Sequence, residues 1–555
     1  MSLMGAFYTG VSGLNASQNS LNTVAHNLAN VDTKGYTRQS AVQGNRLYLH
    51  AGEAGTSTMQ IGLGVDIVEV RSARDYFLDV AYRDSAGRES YYTTQREAID
   101  EITNLYGELV SSSLGTEFKE SLVKLKNSIE DLCDDPSNNS NQAQVITNAN
   151  LFLERAAAVY NGLAEYQDNL NEQIKDQVDA INDIAQKIYD LNGRIAVVEA
   201  GNIERANDMR DARNYLLDQL SSYGSITFRE DKAGYVTVQF EGVDLVNHSI
   251  VNTLSVKYNE KESGFYTPVW SSLGNQSVYD LDEPVDPLIL TDKGSLRSLL
   301  DARGEKRGCY ADMYAYTDAL SGETYADGTE AFDRVSGSSV ASSMAMFDYM
   351  IYNIMQGMNQ ILQQNKDVNN AEDEEDYQQL FTSMSPDAKN VFGQDTEFSL
   401  NHVKVNEKLL EEPAKLANGF MLKSDQSVDY DTATKLRTLF STTDIEINLN
   451  NPVGGTQKII TGLTLTPATM TKLTYQDYYV GVVQSYADIG NLYKNMEDSL
   501  EAQLNTNETE RQSVIGVSDS DELTHMIRYQ NAYNASSRYF NVVNEMLEHL
   551  LNALA

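Results

Sequence analysis

The residues that could carry chemistry are few and scattered. Six histidines, His26, His50, His248, His402, His525 and His549, include no pair at metal-ligand spacing. The two cysteines, Cys133 and Cys309, lie far apart and neither opens a C-x-x-C pair, so no disulfide framework or thiolate metal site follows, and both read as core residues. The run from Asp367 through Asn369 to Asp376 has the oxygen content of a calcium loop. It lacks the central glycine and the ligand pattern, and reads as a solvated acidic loop. Gly62-Leu63-Gly64 lacks the third glycine and the following helix of a dinucleotide fingerprint. With no nucleophile elbow, Walker loop or H-E-x-x-H in the chain, no catalytic residue, cofactor or metal is expected, and the chain reads as a non-enzyme.

What must be positioned, then, is surface for packing. The chain has 555 residues, enough for three or four domains at roughly 150 residues each. Its 80 Asp and Glu against 42 Lys and Arg give a formal net charge of -38, which repels phosphate backbones and anionic lipid, so nucleic acid and membrane are excluded as partners. Hydrophobic residues make up 41%, enough for sizeable cores, and only 8 prolines interrupt the chain, which favours long helices. The opening MSLMGAFYTGVSGLNAS lacks a basic n-region and a continuous apolar run, so no cleaved secretory signal is expected. No stretch approaches a transmembrane helix.

The two ends share one grammar. Residues 1–31 contain no Asp, Glu, Lys or Arg, and within them Phe7, Leu14, Leu21 and Leu28 recur every seven residues, the seam spacing of a helix that packs along another helix. This helix should stop near 32–35, where Gly35 suits a left-handed cap, and 36–42 reads as extended chain. Residues 523–554 repeat the pattern with Met526, Tyr533, Phe540, Leu547 and Leu554, and Asp519 and Asp521 stand where carboxylates favour a helix N-terminus. Docking on the domain's own core remains the alternative to packing on neighbouring molecules.

Between the ends, 74–132 and 151–220 read as helix. One row of the second stretch holds Leu163, Leu170, Ile184, Leu191 and Val198, and the adjacent row holds Ile174, Ile181, Ile188 and Ile195. Residues 134–139 read as the turn before it. The period switches at 225–228, 235–240 and 254–258, where apolar and polar residues alternate as in strands. Helical spacing returns at 296–302, 340–362 and 478–511, with short strand-like pieces at 445–449 and 458–465. The expected fold is mainly α with β-rich insertions, a long helical bundle built from discontinuous domains, its N- and C-terminal helices pairing in an assembled tube. The expected division is 1–45 with 519–555 as a terminal coiled-coil domain, 46–221 with 286–365 and 475–518 as the bundle, 222–285 as a β-rich insertion, and 366–474 as a second insertion.

Residues 12–39, SGLNASQNSLNTVAHNLANVDTKGYTRQ, resemble the N-terminal signature of the flagellar rod, hook and hook-associated family, and 511–554 resemble its closing motif, a GVS-acidic cap before a helix containing YQNAY. Internal stretches, FLDVAYR at 77–83, NDMRDARNYLLDQLS at 207–221, GSLRSLLDARG at 294–304, VKVNEKLLEEP at 403–413 and YQDYYVGVV at 475–483, are similar to the hook-associated branch. The resemblance implies a structural adaptor between flagellar hook and filament, located on the extracellular flagellum and exported without signal cleavage. It adds Asn30, Gly35 and Tyr36 to the assembly residues. The implied partners are copies of the chain, hook protein, the next hook-associated or filament subunits, and an export chaperone at the C-terminal helix. A hook or rod subunit is the alternative within the family, and an extracellular hydrolase displayed on the flagellum is the alternative outside it, because carboxylate pairs in the insertions could supply acid-base chemistry.

Overall fold

The structure is a computed structural model that describes residues 3–46, 48–54, 57–107, 114–201, 204–259, 264–281, 283, 285–326, 328–364, 379–420, 428–441, 446–447, 471–472 and 474–554. The acidic run at 372–376, the rejected calcium loop and the strand-like piece at 458–465 lie outside the described residues. The fold is mainly α with small antiparallel sheets. It divides into two compact units: 1–86 with 181–253 and 500–555, and 87–180 with 254–499.

In the first unit, α1 (Leu3–Ala29) leads into β1 (Gln39–Asn45), β2 (Tyr48–Ala54), β3 (Ser57–Gly62) and β4 (Val65–Ser72). The chain between α1 and β1 turns through Gly35 at φ +78°, where an added Cβ would also lie 2.9 Å from Tyr215 Cβ. β1 pairs antiparallel with β4 from Gln39↔Ser72 to Asn45↔Val65, and β2 pairs with β3. The extended reading at 36–42 fits β1, but residues 48–72, read with the helical bundle, form strands. For β4 the reason is a register shift opposite Val42/Gln43 that leaves Val68 as the extra residue, so the period-two signal of Val65 and Ile67 breaks before it can be recognised.

The stretch 74–132, read as helix, is two helices, α2 (Tyr76–Tyr106) and α3 (Leu114–Asp134), with Gly107 at φ +73° directly after α2, and 151–220 falls in α4 (Asn139–Glu199) and α5 (Asn207–Tyr223); the expected turn before α4 is there, at 135–138. Ile174, Ile181, Ile188 and Ile195 of α4 are all fully buried, whereas its other row starts buried at Leu163 and Leu170 and ends exposed at Val198. A seven-residue repeat drifts about 20° per heptad against 3.6 residues per turn, so five heptads carry a straight row well off its starting face. β5 (Ile226–Glu230), β6 (Val236–Phe240) and β7 (Val243–Val246) form a sheet in the first unit, and β8 (Leu254–Tyr258), β9 (Tyr266–Trp270) and β10 (Gln276–Ser277) one in the second.

The second unit is completed by α6 (Ser295–Arg303), α7 (Gly328–Ser336), α8 (Ser339–Leu362), α9 (Glu407–Glu411) and α10 (Tyr430–Ser441), while α11 (Tyr475–Ile515) contributes residues to both units and α12 (Asp519–Leu554) returns to the first. Its core is aromatic: the Phe118 ring lies 5.6 Å from Phe152, 5.0 Å from Phe347 and 5.0 Å from Tyr479. Cys133 and Cys309 are buried and free, as their isolation in the sequence requires, and burial pushes the Cys133 thiol up to about 11.

Beside Cys309, the buried Lys306 ammonium meets Asp312 and donates to Gln394 Oε1 at 2.6 Å, while Gln394 Nε2 donates to Asp312 Oδ1 at 2.7 Å. Asp312 Oδ2 accepts the Cys309 N–H at 3.0 Å, so the loop before α7 is held from within. Removing one partner of such a pair strands a buried charge, so Lys306→Met is expected to destabilise the second unit by about 3–5 kcal/mol. Calorimetry of the full chain checks this, and a loss below about 1 kcal/mol, the size of a surface pair, would show that the pair is solvated.

Candidate assembly interface

The chain itself occupies two faces of the charge-free α1. The buried row is of small residues, three of them polar: Ser12, Ala16, Ser20, Val24 and Asn27. Ser12 Oγ accepts from Val65 N at 3.2 Å, and Ser20 Oγ accepts from Gln43 Nε2 at 3.1 Å. Gly64, at φ +97°, brings the β4 end so close that a Cβ would sit 1.9 Å from Ser12 Oγ. Charged side chains would be both too long and unpaired on this face.

The other face packs on α12. The Phe7 and Phe540 rings are 4.9 Å apart, and Gly10 and Gly13 allow close approach: a Cβ on Gly10 would lie 3.5 Å from Phe540 Cα, and one on Gly13 2.7 Å from Ser536 Oγ. Phe7, Leu14, Leu21, Leu28, Met526, Phe540 and Leu547 are half-buried, Tyr533 is exposed, and Leu554 is described by its backbone alone. The two terminal helices thus pair with each other within one chain. A second set of apolar residues has no cover among the described residues: Val542 and Met546 are each 54% exposed and Leu551 63%, with Leu550 beside them and Met4 and Tyr8 on α1.

The ends are locked at the signature residues. Asn27 Oδ1 accepts from Tyr36 Oη at 2.7 Å and Gln39 N at 3.0 Å, while its Nδ2 donates to Gln39 O at 2.8 Å and Glu522 Oε2 at 3.1 Å. Glu522, 1% exposed in the first turn of α12, takes a second bond from Arg38 Nε at 2.7 Å. Arg38 N donates to Ile515 O at 2.8 Å. Asn30 caps α1 by donating from Nδ2 to His26 O at 2.9 Å. Burial, with Asp208, Asp211 and Glu522 nearby, raises the Tyr36 phenol well above its ordinary value, so it stays a donor.

A second ionic layer adjoins this one. Arg74 Nε donates to Asp79 Oδ2 at 2.6 Å and its NH1 lies 3.5 Å from Asp211 Oδ1, while Thr37 N donates to Asp211 Oδ2 at 2.9 Å. Asp218 bridges two arginines, accepting from Arg83 Nε at 2.7 Å and Arg511 NH1 at 2.7 Å, and the Arg511 guanidinium stacks 3.8 Å over the Tyr82 ring. The stretches 77–83, 207–221 and 511–522 therefore meet in one polar hub. Spacing alone did not reveal it, since its members are hundreds of residues apart; their membership in the resembling motifs was the available signal.

A family model described as the flagellar hook-associated protein FlgK helical domain matches residues 99–377, about half the chain. The chain belongs to the FlgK family of flagellar hook-associated proteins. A model of the flagella basal body rod protein matches residues 7–37, which hold α1 and its turn. Two relatives named Flagellar hook-associated protein 1 are each 25% identical: that of Bacillus subtilis (strain 168) over 98% of this chain and 96% of its own, and that of Salmonella typhimurium (strain LT2) over 98% of both. The structure of the flagellar hook junction protein FlgK from Burkholderia pseudomallei shares the fold with a TM-score of 0.51 at 10% identity, over 78% of this chain and 99% of that one. Among the described residues no group of three or more His, Cys, Asp or Glu could hold a metal, and no helix is long and apolar enough to cross a membrane.

Burial raises Asp211 to about 6, against the opposing Thr37 N–H and Arg74. Its folded pKa thus exceeds the unfolded value, so this carboxyl favours the fold fully below about pH 4, and the contribution is lost as pH rises through about 6. Asp211→Asn keeps an acceptor for Thr37 and carries no charge to bury. Relative to the native chain it should gain up to roughly 3 kcal/mol between pH 4 and pH 7 in denaturant titrations. A difference that stays constant with pH would remove Asp211 from this role.

Proposed function

We propose that the chain is a nonenzymatic adaptor that joins the flagellar hook to the filament, entering the wall of the extracellular tube through the α1–α12 pair. The observation that carries this reading is the pair itself: charge-free on α1, fixed by Glu522 to the signature turn, and bearing the apolar set Val542, Met546, Leu550 and Leu551 in solvent. A stripe of this kind marks a protein contact, and near-full-length relatives carrying the name hook-associated protein indicate which one. Copies of the chain, hook protein on one rim and the next hook-associated or filament subunit on the other are its partners. Heterologous contacts whose rotation does not close build helical arrays, so each ring of copies offers a new rim to the subunit that follows.

Before export the same stripe would adhere to other proteins, and we assign its cover to a secretion chaperone. A tagged segment covering 519–555 is expected to capture that chaperone from the cytosol, whereas capture by a chain lacking 519–555 would move the site elsewhere.

Assembly is tested on α1, away from the chaperone's helix. Tyr8 is exposed, so Tyr8→Asp should shift monomer stability by less than about 0.5 kcal/mol. In the tube the new carboxylate would be buried without a partner, so the variant should be exported yet fail to stay at the hook tip, and filament subunits should leak into the medium. Normal filaments with the variant seated at the junction would remove α1 from the assembly surface.

A further inference from the structure

The second unit holds a lysine, an amide and a carboxyl group in one dry contact. Lys306 is 3% exposed, Asp312 0% and Gln394 1%. The Lys306 ammonium meets Asp312, its Nζ donates to Gln394 Oε1 at 2.6 Å, and Gln394 Nε2 donates to Asp312 Oδ1 at 2.7 Å, so the three groups close a triangle. Two rings cover the lysine: Nζ lies 5.1 Å from the centre of Phe392 and 5.6 Å from that of Tyr316. An ion pair needs only the lysine and the carboxylate, whereas the amide that touches both is a third group with an electrophilic carbon.

Gln394 is presented as an acyl donor. Its amide carbon lies one C=O bond, about 1.2 Å, beyond the oxygen that Nζ already touches, so Nζ stands within about 4 Å of that carbon. Near-attack distances are roughly 3–3.5 Å, so a small rotation of the lysine side chain brings nitrogen onto carbon. Asn390 Nδ2 donates to the same Oε1 at 2.8 Å, where negative charge develops when the carbonyl is attacked. Asn390 is itself fixed, because its Oδ1 accepts from Phe392 N at 3.1 Å and Gln394 N at 3.0 Å. Asp312, held by the Cys309 N–H, touches both the nitrogen that must lose a proton and the one that must gain one. Burial disfavours the Lys306 ammonium, yet Asp312 beside it raises the amine above its ordinary value, so the pair rests as ammonium and carboxylate. Moving one proton from Nζ to Asp312 replaces two buried charges by none, an exchange favoured by a site without water. Burial holds the Cys309 thiol well above its ordinary range, so it supplies no competing thiolate.

We propose that Lys306 and Gln394 become joined by an intramolecular isopeptide bond that the folded chain forms by itself. The neutral amine attacks Gln394 Cδ, the Nζ–Cδ bond forms, and the carbonyl electron pair moves to Oε1 against Asn390 Nδ2. Asp312 gives its proton to Nε2 and takes one from Nζ. The Cδ–Nε2 bond then breaks with its electron pair leaving on nitrogen, the carbonyl re-forms, and one ammonia departs. Nothing is oxidised or reduced, and no co-reactant enters. The bonded residues are 88 positions apart, so the link ties the loop before α7 to the 390–394 turn in a chain whose two cysteines are both free.

The test is the mass of the full chain, expressed without flagellar partners, purified, held at neutral pH and then denatured. It is expected about 17 Da below the sequence mass, the loss of one ammonia, and proteolysis is expected to release Lys306 and Gln394 on one branched peptide. An unshifted mass in a chain that keeps its cooperative melting transition would overturn the proposal. So would a loss of about 17 Da that maps elsewhere, for example to a succinimide at Asn418-Gly419. A loss of about 18 Da, one water, mapping to Lys306 and Asp312 would overturn the choice of Gln394 as acyl partner. Asp312→Asn removes the proton carrier and is expected to keep the full mass; ammonia loss from it would overturn the step as written. Because that variant leaves the buried lysine without its counter-charge and can fail to fold, Asn390→Asp is the second. It retains an acceptor for the Phe392 and Gln394 N–H groups and loses the donor to Oε1. Its rate of ammonia loss, read as mass against time after refolding, should fall at least about a hundredfold, and an unchanged rate would overturn this geometry of attack.

Discussion

The carboxylate of Glu522 is the point on which the first unit depends. It lies almost out of solvent at the first turn of α12 and is held by Asn27 near the end of α1 and by Arg38 in the turn that follows. A buried carboxylate without partners costs several kcal/mol, so the two ends of a 555-residue chain are held at one register or not at all. Its place at a helix N-terminus lowers that cost, because the free amides there favour negative charge. The remaining valences of Asn27 reach Tyr36 and Gln39, so the hinge between helix and hairpin is fixed by the same side chain that ties the termini together. Hydrophobic packing of α1 on α12 gives affinity, but a heptad seam tolerates slips of register that a buried carboxylate does not.

The distribution of cations follows from this. In a chain with almost twice as many acidic as basic residues, arginines are concentrated where carboxylates are buried. Arg74, Arg83 and Arg511 serve Asp79, Asp211 and Asp218, while Arg210 donates to Glu199 at 2.7 Å and Arg213 NH1 to Asn192 Oδ1 at 2.9 Å. Guanidinium suits the task because its planar fork reaches several acceptors without losing charge on burial. The outer surface is left strongly acidic, which keeps free subunits apart, so association must come from a few local patches that overcome repulsion.

Much of the helical architecture was legible because period and punctuation agree: the turn before α4, the limits of α6 and α8, and the end of α1 all coincide with loop residues or a broken apolar row. Strands β2, β3 and β4 were not: in β4 a single extra residue at Val68 destroys alternation, and short strands such as β2 and β3 have little else to announce them. Heptad reading also overreached. Val198 sits on a drawn seam yet lies in solvent, since a straight helix does not keep a seven-residue row on one face. The row that is buried on α1, Ser12, Ala16, Ser20, Val24 and Asn27, mixes three polar residues with two small apolar ones, so a hydrophobicity pattern does not single it out. Its logic is the hydrogen-bonding need of the β1–β4 backbone and side chains, which exists only once the strands are in place.

That failure explains what kind of information the end motifs carry. Asn27, Gly35, Tyr36 and Gly13 of these motifs are not catalytic, and each is fixed by a geometric demand: Asn27 by four bonds, Gly35 by a positive φ and by Tyr215, Tyr36 by its bond to Asn27, Gly13 by Ser536. Such positions specify how a helix pair is held, leaving open what its outer surface touches. A scaffold of this sort can keep one rigid base while the exposed apolar residues on α12 and α1 vary with the neighbour to be met. Rigidity at the base also limits the entropy lost when the outer stripe is covered, because the helices that present it are already ordered by Glu522 and the hub. An adaptor between two different polymers needs this separation, in which one part of the sequence fixes the fold of the contact and another chooses the partner.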